Sequence, residues 1–366
     1  MPTSPYTAEV RLLLRAALLL FTVTVVIGIL NGTNLVDFDR KALLTHVHVG
    51  TLGWITMSVI AATFWLFALG DAASGRSSIV RLLAYAAPVT ITAYALAFLT
   101  TTGVVRPIVG GTVLLVIALT AGWVLTQLRG RTLSTPHVAV LAAVTMSVVG
   151  AILGVLLGYR LANGANVIPA TAAAAHPAAM VVGFLGPVGM AFIEWVLDPA
   201  SVARRAGIAG WTQIALPFMG GILAMIGLLL EIPTRVAFGL PFEIIGLVIL
   251  IVRVRGALAA GLNLAALGAA RHGAAALVFL VVNIAILVYL VVNYFAANLE
   301  PPEHLLLAMD HSIFVGVMTN SILGVMFLFR RPVGALVEQL VFFGLNVGLA
   351  AFVVGLLLDE IGRAHV

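Results

Sequence analysis

Long apolar runs separated by short polar breaks dominate the chain. A transmembrane helix needs about 20 apolar residues, and eleven runs reach that length. The stretch from Gly256 to Ala270 is apolar but short, so it is an interfacial helix or half of a twelfth span. The pattern predicts an all-α, polytopic membrane helix bundle with eleven spans, or twelve as the alternative. The eleven predicted spans lie near 11–30, 43–69, 79–102, 105–128, 136–161, 171–197, 206–230, 234–253, 274–297, 304–329 and 333–358.

The composition supports the lipid bilayer as the surroundings of the chain. Only 9% of the 366 residues are charged, against about 25% in soluble domains, and the mean hydropathy is +1.17. These values exclude a water-soluble enzyme and a disordered protein. The net charge is +5, but the sequence contains no run of basic residues that could follow a phosphate backbone. We therefore expect no nucleic-acid partner. Cysteine is absent, which excludes disulfides, thiolate metal sites and covalent haem attachment.

The basic residues predict the orientation of the spans. Cytoplasmic loops of membrane proteins carry an excess of Lys and Arg. We therefore expect a multi-pass protein of the cell (plasma) membrane, with a retained first helix, the N-terminus in the cytoplasm and the C-terminus outside. With eleven spans, 13 of the 19 Lys and Arg residues fall on the side of the N-terminus: Arg11, Arg15, Arg76, Arg81, Arg129, Arg131, Arg204, Arg205, Arg253, Arg255, Arg271, Arg330 and Arg331.

Four of the eight histidines lie inside predicted spans, roughly 6–12 Å below the outer surface at about 1.5 Å per residue. His46 and His48 lie on the second span, His176 on the sixth and His311 on the tenth. Ionisable side chains inside a bilayer are costly and usually functional, and neutral imidazole is a common ligand of haem iron and copper. The alternative is a hydrogen bond to a neighbouring helix. We expect the other four histidines to be solvated or interfacial: His137, His272, His304 and His365.

The spacing of these histidines indicates an internal repeat. His176 follows His46 by 130 residues, and His311 follows His48 by 263. Repetition at a fixed period is typical of a structural unit used several times. We therefore expect one transmembrane domain, 1–366, built from a four-helix unit repeated about three times. The predicted units lie near 1–130, 131–265 and 266–366.

The His46-Val-His48 spacing predicts two centres rather than one. Residues two apart on a helix are rotated by about 200°, so these two side chains face opposite sides of their helix. They cannot both bind one ion, but each can serve a centre on its own side.

Two carboxyl groups inside the bilayer are candidates for a proton relay. Glu243 lies in mid-span and is alternatively a secondary ligand, or a neutral acid hydrogen-bonded to the backbone that Pro241 frees. Asp310 precedes His311 and could instead orient its imidazole.

One segment resembles a known family. His46-Val-His48-Val-Gly-Thr-Leu-Gly-Trp54 is similar to the His-x-His-Ser-Gly-Ala-Leu-Gly-Trp segment of C-type oxidases and nitric oxide reductases, which belong to the haem–copper oxidase subunit I superfamily. In that family the first His binds the high-spin haem and the second binds the low-spin haem. The wider resemblance is topological, with three four-helix arcs and metal ligands on every fourth helix near the outer face. NnrS-type membrane haem and copper proteins are a second, distant resemblance.

The resemblance implies one or two haem b groups. The family carries the His-x-His segment on its tenth helix, and here it lies on the second, as if the arcs were rotated in order. The cyclic order of the arcs implies that His48 and His176 bind one haem, and that His46 and His311 flank a second site. The repeat alignment matches His176 with His46, so the pairing stays open. Haem propionates need cationic partners near the outer surface, and the candidates there are Arg160 and Arg235.

The copper site of the family is incomplete in this chain. The family needs an adjacent His pair on the helix that follows a single-His helix, and the chain contains no His-His dipeptide. His176-Pro177 keeps only the first two letters of the family's His-Pro-Glu-Val-Tyr segment. Copper is therefore an open alternative, and full four-electron oxygen reduction is not expected. Whether the chain is an enzyme stays open, with an oxidoreductase as the candidate.

Two functions fit these observations. The first is a membrane haem b protein that transfers electrons or binds NO or O₂. Its electrons would come from a quinol or a separate donor protein, since the polar breaks are too short for a soluble electron-transfer domain. The alternative is a transporter or channel. The residues that would line its path, besides the histidines, are Glu243, Asn283, Asn293, Asn320 and Asn346.

Overall fold

The described part of the chain is helical. The computed structural model describes residues 4–68, 77–263, 267–297, 299–329 and 334–358. Within these ranges it contains helices and no strand, so the all-α prediction is confirmed. Arg76, Arg330 and Arg331, which contribute to the predicted orientation, lie outside the described residues, and so does His365.

Eleven helices in these ranges are long and apolar enough to cross a membrane. The chain is therefore a multi-pass membrane protein. In chain order they are α1 (Thr7–Gly32), α2 (Arg40–Phe67), α3 (Ser78–Thr100), α4 (Val105–Thr126), α5 (Thr135–Asn163), α6 (Ala172–Leu197), α7 (Ile208–Leu229), α8 (Pro233–Gly261), α9 (Ala269–Phe295), α10 (Glu303–Phe329) and α11 (Ala335–Leu357).

The helix ends differ most from the prediction between α8 and α9. The apolar runs end near 253 and restart near 274, but α8 continues to Gly261 and α9 already begins at Ala269. Arg253 and Arg255 end the apolar run without ending the helix, because arginine has a high helix propensity. The described first part of the short apolar stretch thus extends α8 and forms no span of its own.

Contacts within the chain define two compact units. Unit 1 comprises Met1–Arg131 and Ser147–His176, and unit 2 comprises Thr132–Met146 and Pro177–Val366. In unit 1, α1 packs against α2 and α3, and α3 packs against α4. In unit 2, α7 packs against α6 and α8, α9 packs against α6, α8 and α10, and α11 packs against α10.

The helices that carry the intramembrane histidines are the most enclosed. In the most apolar 18-residue stretch of each helix, the buried residues amount to 83% in α2, 89% in α6 and 61% in α10. The corresponding share is at most 50% in the other eight helices. These three helices therefore present most of their side chains to protein rather than to lipid.

A buried ion pair ties together four helices of unit 2. Arg253 of α8 donates two hydrogen bonds to the Glu194 carboxylate of α6, at 2.6 and 2.7 Å. Gln213 of α7 donates to the same carboxylate at 3.1 Å and accepts from Arg253. Thr135, at the start of α5, accepts a further bond from Arg253 at 3.2 Å. Glu194 is only 2% exposed, so its charge depends on these donors.

We predict that Arg253→Ala lowers the free energy of unfolding by about 3–5 kcal/mol, because it leaves the Glu194 carboxylate buried without its cation. Arg204→Ala is the matched control. Its ion pair with Asp198 has side chains that are 61% and 31% exposed, so its loss should cost at most about 1 kcal/mol. Denaturant unfolding in detergent measures both values. Equal effects for the two variants would contradict the structural role of the buried pair.

Candidate functional site

Four of the described helices contain a π segment, and in three of them it begins one to three residues after a histidine. These three segments are Val49–Thr56 in α2, Ala179–Leu185 in α6 and Ser312–Thr319 in α10, and the fourth is Val291–Phe295 in α9. Ala179 follows Val49 by 130 residues and Ser312 follows it by 263, which are the offsets that relate the histidines. Such segments are rare and occur frequently at functional sites. The recurrence supports the internal repeat.

The start of each π segment also serves as a reference point for comparing the histidine positions of the three helices. His46, His176 and Met309 lie three residues before a π segment, whereas His48, Ala178 and His311 lie directly before one. His46 and His176 are thus equivalent in the repeat, and His48 is equivalent to His311.

His46 is held by α1. Its Nδ1 lies 2.9 Å from both the carbonyl oxygen and the hydroxyl oxygen of Thr24. The Thr24 hydroxyl in turn donates to the His46 carbonyl at 2.8 Å, so Nδ1 carries the proton. Gly28, one turn along α1, leaves room for the ring, since a Cβ there would lie 3.0 Å from His46 Cε1.

The same arrangement holds His176. Its Nδ1–H donates to the carbonyl oxygen of Gly150 on α5 at 2.8 Å. Gly154, one turn along α5, lies against the ring, and a Cβ there would come within 2.9 Å of His176 Cε1. In both cases the preceding helix supplies a carbonyl acceptor and, four residues later, a glycine that makes space for the imidazole.

His48 faces the opposite side of α2, as the 200° rotation predicts. Its Nδ1–H donates to the carbonyl oxygen of Leu44 at 2.7 Å. The ring stacks on Phe98 of α3, with centroids 4.4 Å apart, and meets Tyr94 edge-on at 5.5 Å. Whereas His46 contacts α1, His48 contacts α3, so the two imidazoles serve two sides of one helix.

Unit 1 brings His48, His176 and Arg106 together. His48 lies close enough to both other side chains to interact with them electrostatically. Arg106, near the start of α4, donates to the Phe98 carbonyl oxygen at 2.8 Å and lies 4.8 Å above the Phe98 ring. Its buried Nε has no hydrogen-bond partner among the described residues. A guanidinium with an unsatisfied donor within electrostatic range of His48 is suited to an anionic group of a ligand.

Arg106 is a residue that the sequence did not single out. It is one of several basic residues predicted on the outer side, and the apolar pattern does not distinguish it from Arg160 or Arg235. The structure gives the two predicted arginines other contacts. Arg160 donates to Asn166 Oδ1 and to the Ile168 carbonyl oxygen, at 2.8 and 2.9 Å, and so holds the loop after α5. Arg235 belongs to unit 2, where its Cβ packs beside Gly227.

His311 lies in unit 2 with a similar hydrogen bond. Its Nδ1–H donates to the Leu307 carbonyl oxygen at 2.8 Å, and its ring meets Phe352 of α11 at 4.8 Å. The acceptor of Nδ1 is therefore backbone and not the Asp310 carboxylate. Within the described ranges, no three His, Asp or Glu side chains converge to form a metal site by themselves. A porphyrin iron needs only one or two imidazoles from the protein.

Two histidines expected to be solvated or interfacial are buried. His272 lies inside α9 and is 2% exposed, with Nδ1 2.9 Å from Asn320 Oδ1. His137 is 3% exposed, with Nδ1 2.7 Å from the Ser134 hydroxyl. The expectation was wrong for these two, because amide and hydroxyl groups of the protein replace water as their partners. His304 is half-buried at the start of α10.

Glu243 lies on α8 in unit 2. It is 4% exposed, and its Oε1 has no hydrogen-bond partner among the described residues. The expected alternative, a hydrogen bond to the backbone that Pro241 frees, is therefore not made by this oxygen.

No protein-family model, no curated protein and no solved structure matches the chain. The function consequently rests on the geometry of the residues and on the resemblance of the His46–Trp54 segment.

We predict that His46, His48, His176 and His311 carry their proton on Nδ1, because each donates from that atom to a backbone carbonyl. Nitrogen-15 NMR of histidine-labelled protein produced without added haem distinguishes the two tautomers, and single His→Gln variants assign the signals. Free histidine in the same detergent is the reference. Signals with the proton on Nε2 would contradict the described geometry.

Proposed function

We propose that the protein is an integral membrane haem b protein related to haem–copper oxidase subunit I, and that His48 and His176 bind one haem. One observation carries the proposal. His48 on α2 and His176 on α6 belong to the same unit and are within electrostatic range of each other, and each donates Nδ1–H to a backbone carbonyl. This bond fixes the tautomer in which Nε2 has a lone pair available for iron.

The surrounding side chains fit this ligand set. A hydrogen bond from Nδ1–H orients an imidazole and raises its basicity as a ligand. Phe98 and Tyr94 hold the His48 ring from its face and its edge. Arg106 presents an unsatisfied Nε beside them and is the residue of unit 1 that fits a propionate. Bound haem supplies an iron that exchanges one electron, and the chain's own groups orient the ligands and compensate charge.

A second haem that would bind NO or O₂ is proposed either at His46 of unit 1 or at His311 of unit 2. Each has its Nδ1 occupied by a backbone carbonyl, so each is prepared for coordination in the same way as His48. This part follows the family plan, which uses both histidines of the His-x-His segment. Electrons would come from a quinol or a separate donor protein, and an oxidoreductase activity at the second haem is the corresponding enzymatic proposal.

The transport alternative has less support from the polar residues that suggested it. Asn320 and Asn346 donate to each other's side-chain oxygens at 2.8 and 3.1 Å, and Asn320 also contacts His272. Asn293 donates to the Tyr289 carbonyl oxygen of its own helix. These amides satisfy one another or the backbone, as helix-packing residues do in membranes.

We predict that His48→Ala and His176→Ala each abolish the reduced haem b bands in the visible spectrum of the purified protein, because each removes an axial ligand. His304→Ala is the control and should keep them. Size-exclusion chromatography shows whether each variant is folded. A colourless native protein, after expression with ample haem, would refute the proposal.

A carbon monoxide spectrum separates the two proposed haems. A haem that both His48 and His176 held would not bind CO. A CO-induced shift in the reduced native protein that is lost in His46→Ala or His311→Ala would support the second haem. Reduced bands that do not respond to CO would restrict the proposal to electron transfer.

We predict that Arg106→Gln lowers the midpoint potential of the haem, because a nearby cation favours the reduced state, which carries one positive charge fewer. The effect should correspond to roughly 1–2 kcal/mol, for a charge about 10 Å away at an effective dielectric constant of about 20. Arg160→Gln is the matched control, since its guanidinium is bound by the loop after α5. A redox titration followed by absorbance measures both. Equal shifts would contradict the role of Arg106.

A further inference from the structure

A small cavity lies inside unit 2, where α6, α8, α9 and α10 contribute residues to its wall. Its volume is about 20 Å³, and a cavity needs roughly 10–15 Å³ to hold one water molecule. Glu243 and Asn283 supply polar side chains to a wall that is otherwise apolar or backbone, including Gly186, Met309 and Ile313. The space therefore suits a single water with two side-chain partners.

Glu243 brings a buried carboxyl group to this cavity. Its Oε2 would lie 3.7 Å from a Cβ on the cavity residue Gly186, whereas its Oε1 lies against Gly220 of α7. Its side chain is 96% buried, since the residue is 4% exposed, and Oε1 has no hydrogen-bond partner among the described residues. Gly220 of α7 makes room for the carboxyl, because a Cβ there would lie 2.6 Å from Oε1. An ionised carboxylate buried without a cation or hydrogen bonds costs several kcal/mol or more. The neutral acid is the form that this position favours.

Asn283 supplies the second polar group. Its Nδ2 donates to the Met309 carbonyl oxygen at 2.7 Å, which fixes the orientation of the amide. An asparagine side chain has an acceptor oxygen besides its two N–H donors. A water in the cavity can therefore donate to the amide oxygen and accept from a protonated carboxyl.

The charged groups of the neighbouring helices do not neutralise Glu243. No ionisable side chain occurs on α7. Glu194 of α6 is bound by Arg253. On α10, the titratable residues Asp310 and His311 lie between the wall residues Met309 and Ile313. Glu243 is the titratable residue that lines the cavity itself, among those the structure describes.

We propose that Glu243, Asn283 and one enclosed water form a proton-binding site inside the bilayer. The carboxylate oxygen takes up one proton, and the resulting acid donates a hydrogen bond to the water that Asn283 holds. Release breaks the O–H bond of the acid and returns the proton to that water, and no electron is transferred. The site belongs to unit 2 and does not depend on the haem proposal.

Infrared spectroscopy of the full-length protein in liposomes at neutral pH tests the site. We expect the carbonyl stretch of a protonated carboxylic acid, shifted down in D₂O and lost in Glu243→Gln. Asn283→Leu should keep the band and move it to higher frequency, because the acid loses its hydrogen-bonded water. Glu338→Gln is the control and should leave the band unchanged, since Glu338 interacts electrostatically with Arg271.

Three outcomes would overturn the proposal. A band that survives in Glu243→Gln and disappears in Asp310→Asn would assign the proton to Asp310. A band that is insensitive to Asn283→Leu would exclude the shared water. A band that is absent in sodium buffer and present when choline replaces sodium would identify a monovalent cation site. Asn283→Leu and the solvent exchange do not alter the Glu243 side chain, so they remain informative if Glu243→Gln misfolds.

Discussion

The organisation of this protein depends on the demand that polar groups inside a bilayer find partners within the protein. The lipid hydrocarbon offers no hydrogen-bond partner to a donor at that depth. Each intramembrane histidine meets the demand by donating Nδ1–H to a backbone carbonyl, within its own helix for His48 and His311 and on the preceding helix for His46 and His176. The bond that satisfies the donor also fixes the tautomer, so structural necessity and ligand chemistry lead to the same arrangement.

Close helix packing makes these bonds possible. Gly28 and Gly154 each lie one turn beyond the acceptor residue and let an imidazole approach the neighbouring helix. Glu194 shows the other solution, in which a charge inside the bundle is compensated by Arg253 and a glutamine. Glu243 has neither solution for Oε1 among the described residues, so one oxygen of a buried carboxyl is left without a hydrogen-bond partner there.

The sequence was sufficient for the features that depend on one helix. Apolar runs predicted the eleven spans, and the rotation between positions 46 and 48 predicted that the two imidazoles face apart. The sequence was insufficient for features that depend on contacts with a second helix. The end of α8 was missed because Arg253 finds its partner on α6, and His272 was judged solvated because its amide partner lies on α10. Arg106 was overlooked because its proximity to His48 depends on how α2, α3 and α4 pack.

The π segments have a consequence for the angular phase of the histidine helices. A π segment accommodates one residue more than the α-helix that it interrupts, and one residue corresponds to about 100° of rotation. The segments beginning at Val49, Ala179 and Ser312 therefore set the angle between the histidine-bearing turns and the more deeply buried half of each helix. Deleting one residue from Val49–Thr56 would turn His48 away from Phe98, although the sequence of the turn that carries the histidines would be unchanged. The direction in which each imidazole points thus depends on the π segment that follows it as well as on its own helical turn.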